Sequence, residues 1–189
     1  HICSMTFSCL QRFEQIQNSL LSTVQPAQPD DKAYVMRQHH PLLSPISWHV
    51  GHCVYIEALW IRGRLAGNCS LAEELEPTYR PEFVSKSDRQ DIFKSPEQLF
   101  LWAQQLMFEH LGLLESLSRS TEGMSPKYIA EFLINHHAQH RETIEMVKVA
   151  RKQENSDKVP ESFVSIRAKK GAVLLNTVPG GEYEVGSTG

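Results

Sequence analysis

The chain has 189 residues, of which 41% are apolar and 22% charged, with a formal net charge of −3. That length buries a sizeable core in one domain without disulfides or a metal as scaffolding, and the composition is that of a globular protein, not a disordered one. The slight negative charge, with no basic stripe, gives no footing for nucleic acid, and no apolar run approaches the roughly 18 residues of a membrane span.

The four cysteines, Cys3, Cys9, Cys53 and Cys69, show no CxxC pairing. They read as free thiols in a reducing compartment, so the cytoplasm is the expected location. No signal peptide is expected from the residues before the first helix. The chain starts at His1 and stops at "GEYEVGSTG", just after what reads as a new strand. The expectation is a fragment of a longer protein.

In chain order, residues 6–24 carry Phe7, Leu10, Phe13, Ile16 and Leu20 at spacings of three and four, the pattern of an amphipathic helix. Residues 44–66 open with Ser44 as expected N-cap and Pro45 at the first helical position. Their inward stripe is Ile46, His49, Cys53, Ile56 and Trp60. From 67 to 94 the chain reads as polar and irregular, interrupted by Pro77 and Pro81. A connection that long is uncommon unless it is functional or a crossover. Residues 95–118 begin "SPEQ", a Ser N-cap with Gln98 in capping-box position, and turn Leu99, Trp102, Leu106 and Leu113 inward. After "STEGM", "SPKY" starts a helix running to about 152, with a stripe of Ile129, Phe132, Leu133, His136, His140, Ile144 and Val147.

Four amphipathic helices with one long crossover give an all-α fold, a four-helix bundle over 5–152. A charged linker occupies 153–162. Residues 163–189 ("FVSIRA", "AVLLNTV", "PGGEYEVG") alternate or are β-branched and read as the start of a β-containing module.

Chemistry is expected where histidines fall on an apolar stripe. His136 and His140 lie four apart and project from one helix face, so both can reach one ion. Burying two imidazoles without partners is costly, and a shared metal satisfies both. His49 in "WHVGH" faces the core from the second helix, and His52, one turn on, is either a fourth ligand or a flanking residue. Three histidines from two helices leave open positions, the mark of a reactive metal site. The plainer reading, core histidines bonded to carbonyls or water, stays open on these residues alone. Glu142 is about 200° around the helix from His140 and is read as pointing away, a neighbouring or outer contact at most. Glu57, two turns beyond His49, is read as a solvated carboxylate or an outer support for an imidazole. His39 and His40 read as surface loop residues, His110 as a structural histidine, and Trp48, Trp60 and Trp102 as core. "PGGEYEVG" is a turn and strand, not a dinucleotide fingerprint, since no helix pattern follows it.

Trp48-His49-Val50-Gly51-His52 and the HxxxHxE run from His136 to Glu142 resemble the paired motifs of the DinB-like domain that opens the ergothioneine-type sulfoxide synthases, the EgtB-like non-haem iron enzymes. The tail resembles the entry into the formylglycine-generating-enzyme-like domain that follows in that family. The resemblance implies a DinB-like four-helix bundle with His49, His136 and His140 as facial ligands of Fe(II), and His52, Glu57 and Glu142 as outer candidates. It implies dioxygen, a thiol or selenol donor and a trimethylhistidine-like betaine as small-molecule partners. Catalytic residues, a tyrosine among them, are expected from the second domain. Two alternatives stay open. One is a DinB-like thiol S-transferase that holds Zn or Ni on a comparable site, and the other a non-catalytic, metal-binding stress protein.

Overall fold

The computed structural model describes residues 2–25, 31–118 and 125–154. All of these lie in the first of the two units into which the chain divides, His1–Asp157. The expected β-containing module at 163–189 and nearly all of the 153–162 linker fall outside the described residues, as does the side chain of Phe7. The described elements are α1 (Ile2–Leu21), α2 (Asp31–Met36), α3 (Ile46–Glu57) with a π-helical extension (Ala58–Leu65), α4 (Ser70–Tyr79), a 3-10 turn (Lys86–Arg89), α5 (Pro96–Leu117) and α6 (Pro126–Glu154). Among the described residues no strand occurs, and no helix is long and apolar enough to cross a membrane.

The bundle consists of α1, α3, α5 and α6. Both α1 and α3 pack against α5 and α6, which puts α1 and α3 at opposite corners. Two apolar clusters fill the interior. One contains Leu20, Val54, Met107 and Ile144, and the other Phe13, Ile61, Leu114 and Leu133. Reading each helix from cluster to cluster shows that α1 and α6 run one way and α3 and α5 the other.

The four long helices fall where the periodicity puts them, and the differences from expectation are instructive. On α5 the buried stripe is Leu99, Ala103, Met107, His110 and Leu114, with Trp102, Leu106 and Leu113 half-buried on its flank. Ser95 caps α5 as expected, accepting the Gln98 N–H at 3.2 Å, and the Gln98 side chain accepts the Lys94 N–H at 3.0 Å. Ser44 does not cap α3. Pro45 holds that place, and the Ser44 hydroxyl accepts a 2.8 Å hydrogen bond from Arg89. The stretch expected to be irregular contains α4, whose Ala72, Leu75 and Tyr79 are buried at helical spacing. Pro77 misleads because it is accommodated inside the helix, which runs on to Tyr79 and closes with Arg80 N–H to Glu76 O at 2.9 Å.

In α3, eleven of twelve residues are buried, because α2, α4, α5 and α6 all pack around it. Such a helix has no polar face, so a helical wheel cannot rank its positions. Past Glu57 the wider π turn, closed by Ala66 N–H to Ile61 O at 3.0 Å, brings Ala58 and Ile61 into the core and leaves Trp60 half-buried.

Gly51 is where α4 closes on α3: a Cβ there would collide with the ring of Tyr79, which is 2% exposed and stacked near Trp102. Alanine at a helix interior ordinarily gains roughly 0.5–1 kcal/mol over glycine. Overpacking a filled core costs about 1–3 kcal/mol, and here that term should win. Gly51→Ala is therefore expected to lower the urea unfolding midpoint. An unchanged or raised midpoint would show that Tyr79 moves aside freely.

Candidate metal centre

The polar atoms of the interior are organised around Glu57, which is fully buried between the two apolar clusters. His137 of α6 lies 2.7 Å from its Oε1, and His110 of α5 is 2.9 Å from its Oε2. Gln17 of α1 donates to both oxygens at 3.1 Å and to the Met107 carbonyl at 3.1 Å. Each of the other three bundle helices thus sends one side chain to the carboxylate of α3. Burial works to raise the Glu57 pKa, but the hydrogen bonds from His110 and His137 outweigh it and hold the carboxyl below its usual range. The expectation of a solvated carboxylate at Glu57 is corrected here: the surrounding helices leave it no access to water.

These contacts fix protons. A carboxylate only accepts, so His137 presents Nε2–H to Glu57 and keeps Nδ1 as a lone pair. Arg62 Nε donates to His110 Nε2 at 3.0 Å, which leaves the His110 proton on Nδ1, facing Glu57. His136 Nδ1 stands 3.3 Å from His137 Nδ1, so His136 supplies the proton of that contact and its Nε2 is left open.

The same logic applies to the other imidazoles. His52 Nδ1 is 2.7 Å from the Tyr79 carbonyl and must donate to it, which leaves His52 Nε2 open. His140 Nδ1 is 2.9 Å from His49 Nδ1. When His140 donates, its Nε2 opens as well. One donor atom each of His52, His136 and His140 lie within 4.8 Å of one another. With His140 as the donor, all three imidazoles are tethered through Nδ1–H and offer Nε2, the arrangement that orients metal-bound histidines. The residues therefore fit a metal ion.

The geometry differs by one residue from the expected set of His49, His136 and His140. His52 stands in the close group with His136 and His140, and His49 meets His140 Nδ1 to Nδ1 at 2.9 Å, with one proton between the two rings. The remaining nitrogen of His49, Nε2, is buried without a protein partner, as is the Ser47 hydroxyl. Glu142 is exposed on α6. His39 lies 3.2 Å from the Tyr34 carbonyl, and exposed His40 accepts the Leu42 N–H at 3.1 Å.

Several residues that build the site were not singled out by their sequence positions: His137, Gln17, Tyr79 and Arg89. Trp48 stacks on His52 with ring centroids 4.9 Å apart, and the Arg89 guanidinium covers the Trp48 ring at 3.9 Å. Arg89 is itself held by the Pro81 and Val84 carbonyls at 2.9 Å each. The long connection between α3 and α5 therefore orients His52 twice, through the Tyr79 carbonyl and through the Arg89–Trp48 stack. A signal existed for His137, since it is the middle histidine of "HHAQH", one position from the assigned stripe.

Burial, the leading cause in each case, pushes the imidazoles of His49, His52, His136 and His140 down to about 3, 4, 3 and 2. Their mutual proximity adds to the effect. All four are neutral in the ion-free fold near pH 7. In the unfolded chain they titrate near 6.5, so as pH falls below that value the unfolded state takes up protons first. The stability they contribute is present above about pH 6.5 and is lost toward their folded values. Urea midpoints of chelator-treated protein should be level above about pH 7. Below about pH 6.5 stability should fall by on the order of 1 kcal/mol per pH unit for each histidine that stays neutral. A flat profile down to about pH 5 would mean that these imidazoles are solvated.

Comparison with known proteins places this geometry in a family. The domain model of the DinB superfamily matches residues 12–144, a span that runs from α1 to α6 and takes in every imidazole of the cluster. No curated protein and no solved structure matches the chain. The chain belongs to the DinB superfamily.

Proposed function

We propose that this domain is the iron-binding part of an oxygen-dependent sulfoxide synthase of the EgtB-like kind, which joins a thiol or selenol to the imidazole of a trimethylhistidine-type substrate. The observation that carries the reading is the close approach of one ring nitrogen each of His52, His136 and His140, from two helices, with no carboxylate of the described residues in the group. Such a set closes one face of an ion and leaves the other for substrates. Iron held there would supply the oxygen-dependent redox chemistry. The chain's own contribution is to fix the imidazoles and keep them neutral. Tyr79 O, His137 and His49 hold His52, His136 and His140 in their ligating tautomers. Burial prevents their protonation at working pH.

The resemblance of 163–189 to the opening of a formylglycine-generating-enzyme-like domain supports this reading over a free-standing thiol S-transferase. The transferase reading rests on the donor set, since three imidazoles suit zinc and nickel as well as iron. In the synthase reading, contacts to the betaine and the thiol come from that following domain.

Anaerobic titration with Fe(II), followed by calorimetry, tests the site. One equivalent is expected to bind, and His52→Ala, His136→Ala and His140→Ala should each abolish binding. Loss of an outer partner in His49→Ala should weaken binding by roughly 10–100-fold without abolishing it. Glu142→Ala should bind like the unaltered chain. Retention of full affinity in all three ligand variants would overturn the site. Complete loss in His49→Ala with retention in His52→Ala would restore His49 as the ligand.

A further inference from the structure

Beside the three-histidine face lies a second donor group, which shares His136 with it and adds Cys53 and His137. Cys53 Sγ and one ring nitrogen each of His136 and His137 lie within 4.8 Å of one another. Cys53 and His137 are fully buried. Glu57 occupies His137 Nε2, so the nitrogen His137 offers is Nδ1, which faces His136 Nδ1 at 3.3 Å. That separation lies at the long end of the hydrogen-bond range, so the same two nitrogens can share the His136 proton when the outer site is filled or face one cation when it is not. The separation equals the spacing of two ligands on one tetrahedral zinc, because nitrogens about 2.0–2.1 Å from a common centre stand about 3.3–3.4 Å apart. Behind His137, the Glu57 carboxylate holds the ring in the carboxylate–histidine–metal arrangement that sharpens imidazole as a ligand.

We propose that Cys53, His136 and His137 form an inner site for a soft cation of the zinc or cuprous type, adjacent to the three-histidine site and exclusive of it. A thiolate with two imidazoles selects such ions, whereas three imidazoles with open positions take ferrous iron equally well. Binding at the inner site releases the Cys53 proton to solvent and moves the His136 proton from Nδ1 to Nε2. His136 is then lost to His52 and His140, so one ion at a time is held. The inner site shares His136 with the outer reading and differs from it in Cys53 and His137, and its signature is sulfur at the ion.

The test uses zinc alone, one equivalent added to the chelator-treated full chain, with X-ray absorption at the zinc edge as readout. The expected result is a sulfur neighbour at about 2.3 Å beside nitrogen at about 2.0–2.1 Å. The sulfur shell should persist when His52 and His140 are both changed to Ala, and disappear in Cys53→Ser. A nitrogen-only shell in the unaltered chain overturns the inner site and leaves the three-histidine site standing. A sulfur shell that survives Cys53→Ser, or one lost in the His52/His140 double variant, overturns it as well. Absence of zinc binding overturns the inner site, and the three-histidine site is then judged by its own Fe(II) titration. The unaltered chain is decisive by itself, so a poorly folded variant leaves the outcome readable.

Discussion

The carboxylate of Glu57 is the constraint on which the rest of the molecule is built. It lies at the level where the two apolar clusters meet, and Gln17, His110 and His137 reach it from the other three bundle helices. A buried charge left alone is among the costliest features a core can contain, and removing one partner of a buried pair costs about 3–5 kcal/mol. Four helices that could slide past one another on leucine and isoleucine alone are thereby held in one register, because any slip strands a charge. The same carboxylate sets the proton on His137, which sets the proton on His136. Registration of the bundle and orientation of the centre are one hydrogen-bonded chain.

This arrangement also explains why the polypeptide takes a long route between α3 and α5. A helix buried on every side can place imidazoles but has no free face from which to hold them. The connection supplies what α3 lacks: the Tyr79 carbonyl on one edge of His52 and the Arg89–Trp48 stack on its ring face. Gly51 lets Tyr79 come close enough for that carbonyl to reach. A connection whose polar residues serve the site reads as irregular, because their sequence pattern follows the needs of His52 and not of a core.

Much of the fold was legible because α1, α5 and α6 are two-faced, and Leu20, Leu99, Ile129 and Ile144 announce their buried sides at spacings of three and four. The Ser95 cap followed from local chemistry alone. Legibility failed where the local rule had no contrast to act on. In α3 every position is apolar or buried, so His49 and His52 could not be ranked by periodicity. The choice between them depends on which ring meets Tyr79 O and which meets His140, contacts between segments far apart in the chain. Glu57 failed for the opposite reason. A lone glutamate in a helix is usually solvated, and only three distant partners, none adjacent in sequence, make burial tolerable.

The histidines divide by role according to the acceptor behind each, not by depth. His137 is fully buried and His110 equally so, yet both turn a nitrogen to Glu57 and neither belongs to the three-histidine set. His136 and His140 are only partly buried, and their Nδ1 atoms meet other imidazoles. An imidazole whose outer neighbour is another imidazole is a weaker donor than one backed by a carboxylate, since a neutral ring accepts a proton less strongly than an anion. The three-histidine face is thus a soft-handed set, with carboxylate backing held one ring further away at His137. A cation bound there would keep more of its positive charge than one bound by carboxylate-backed histidines.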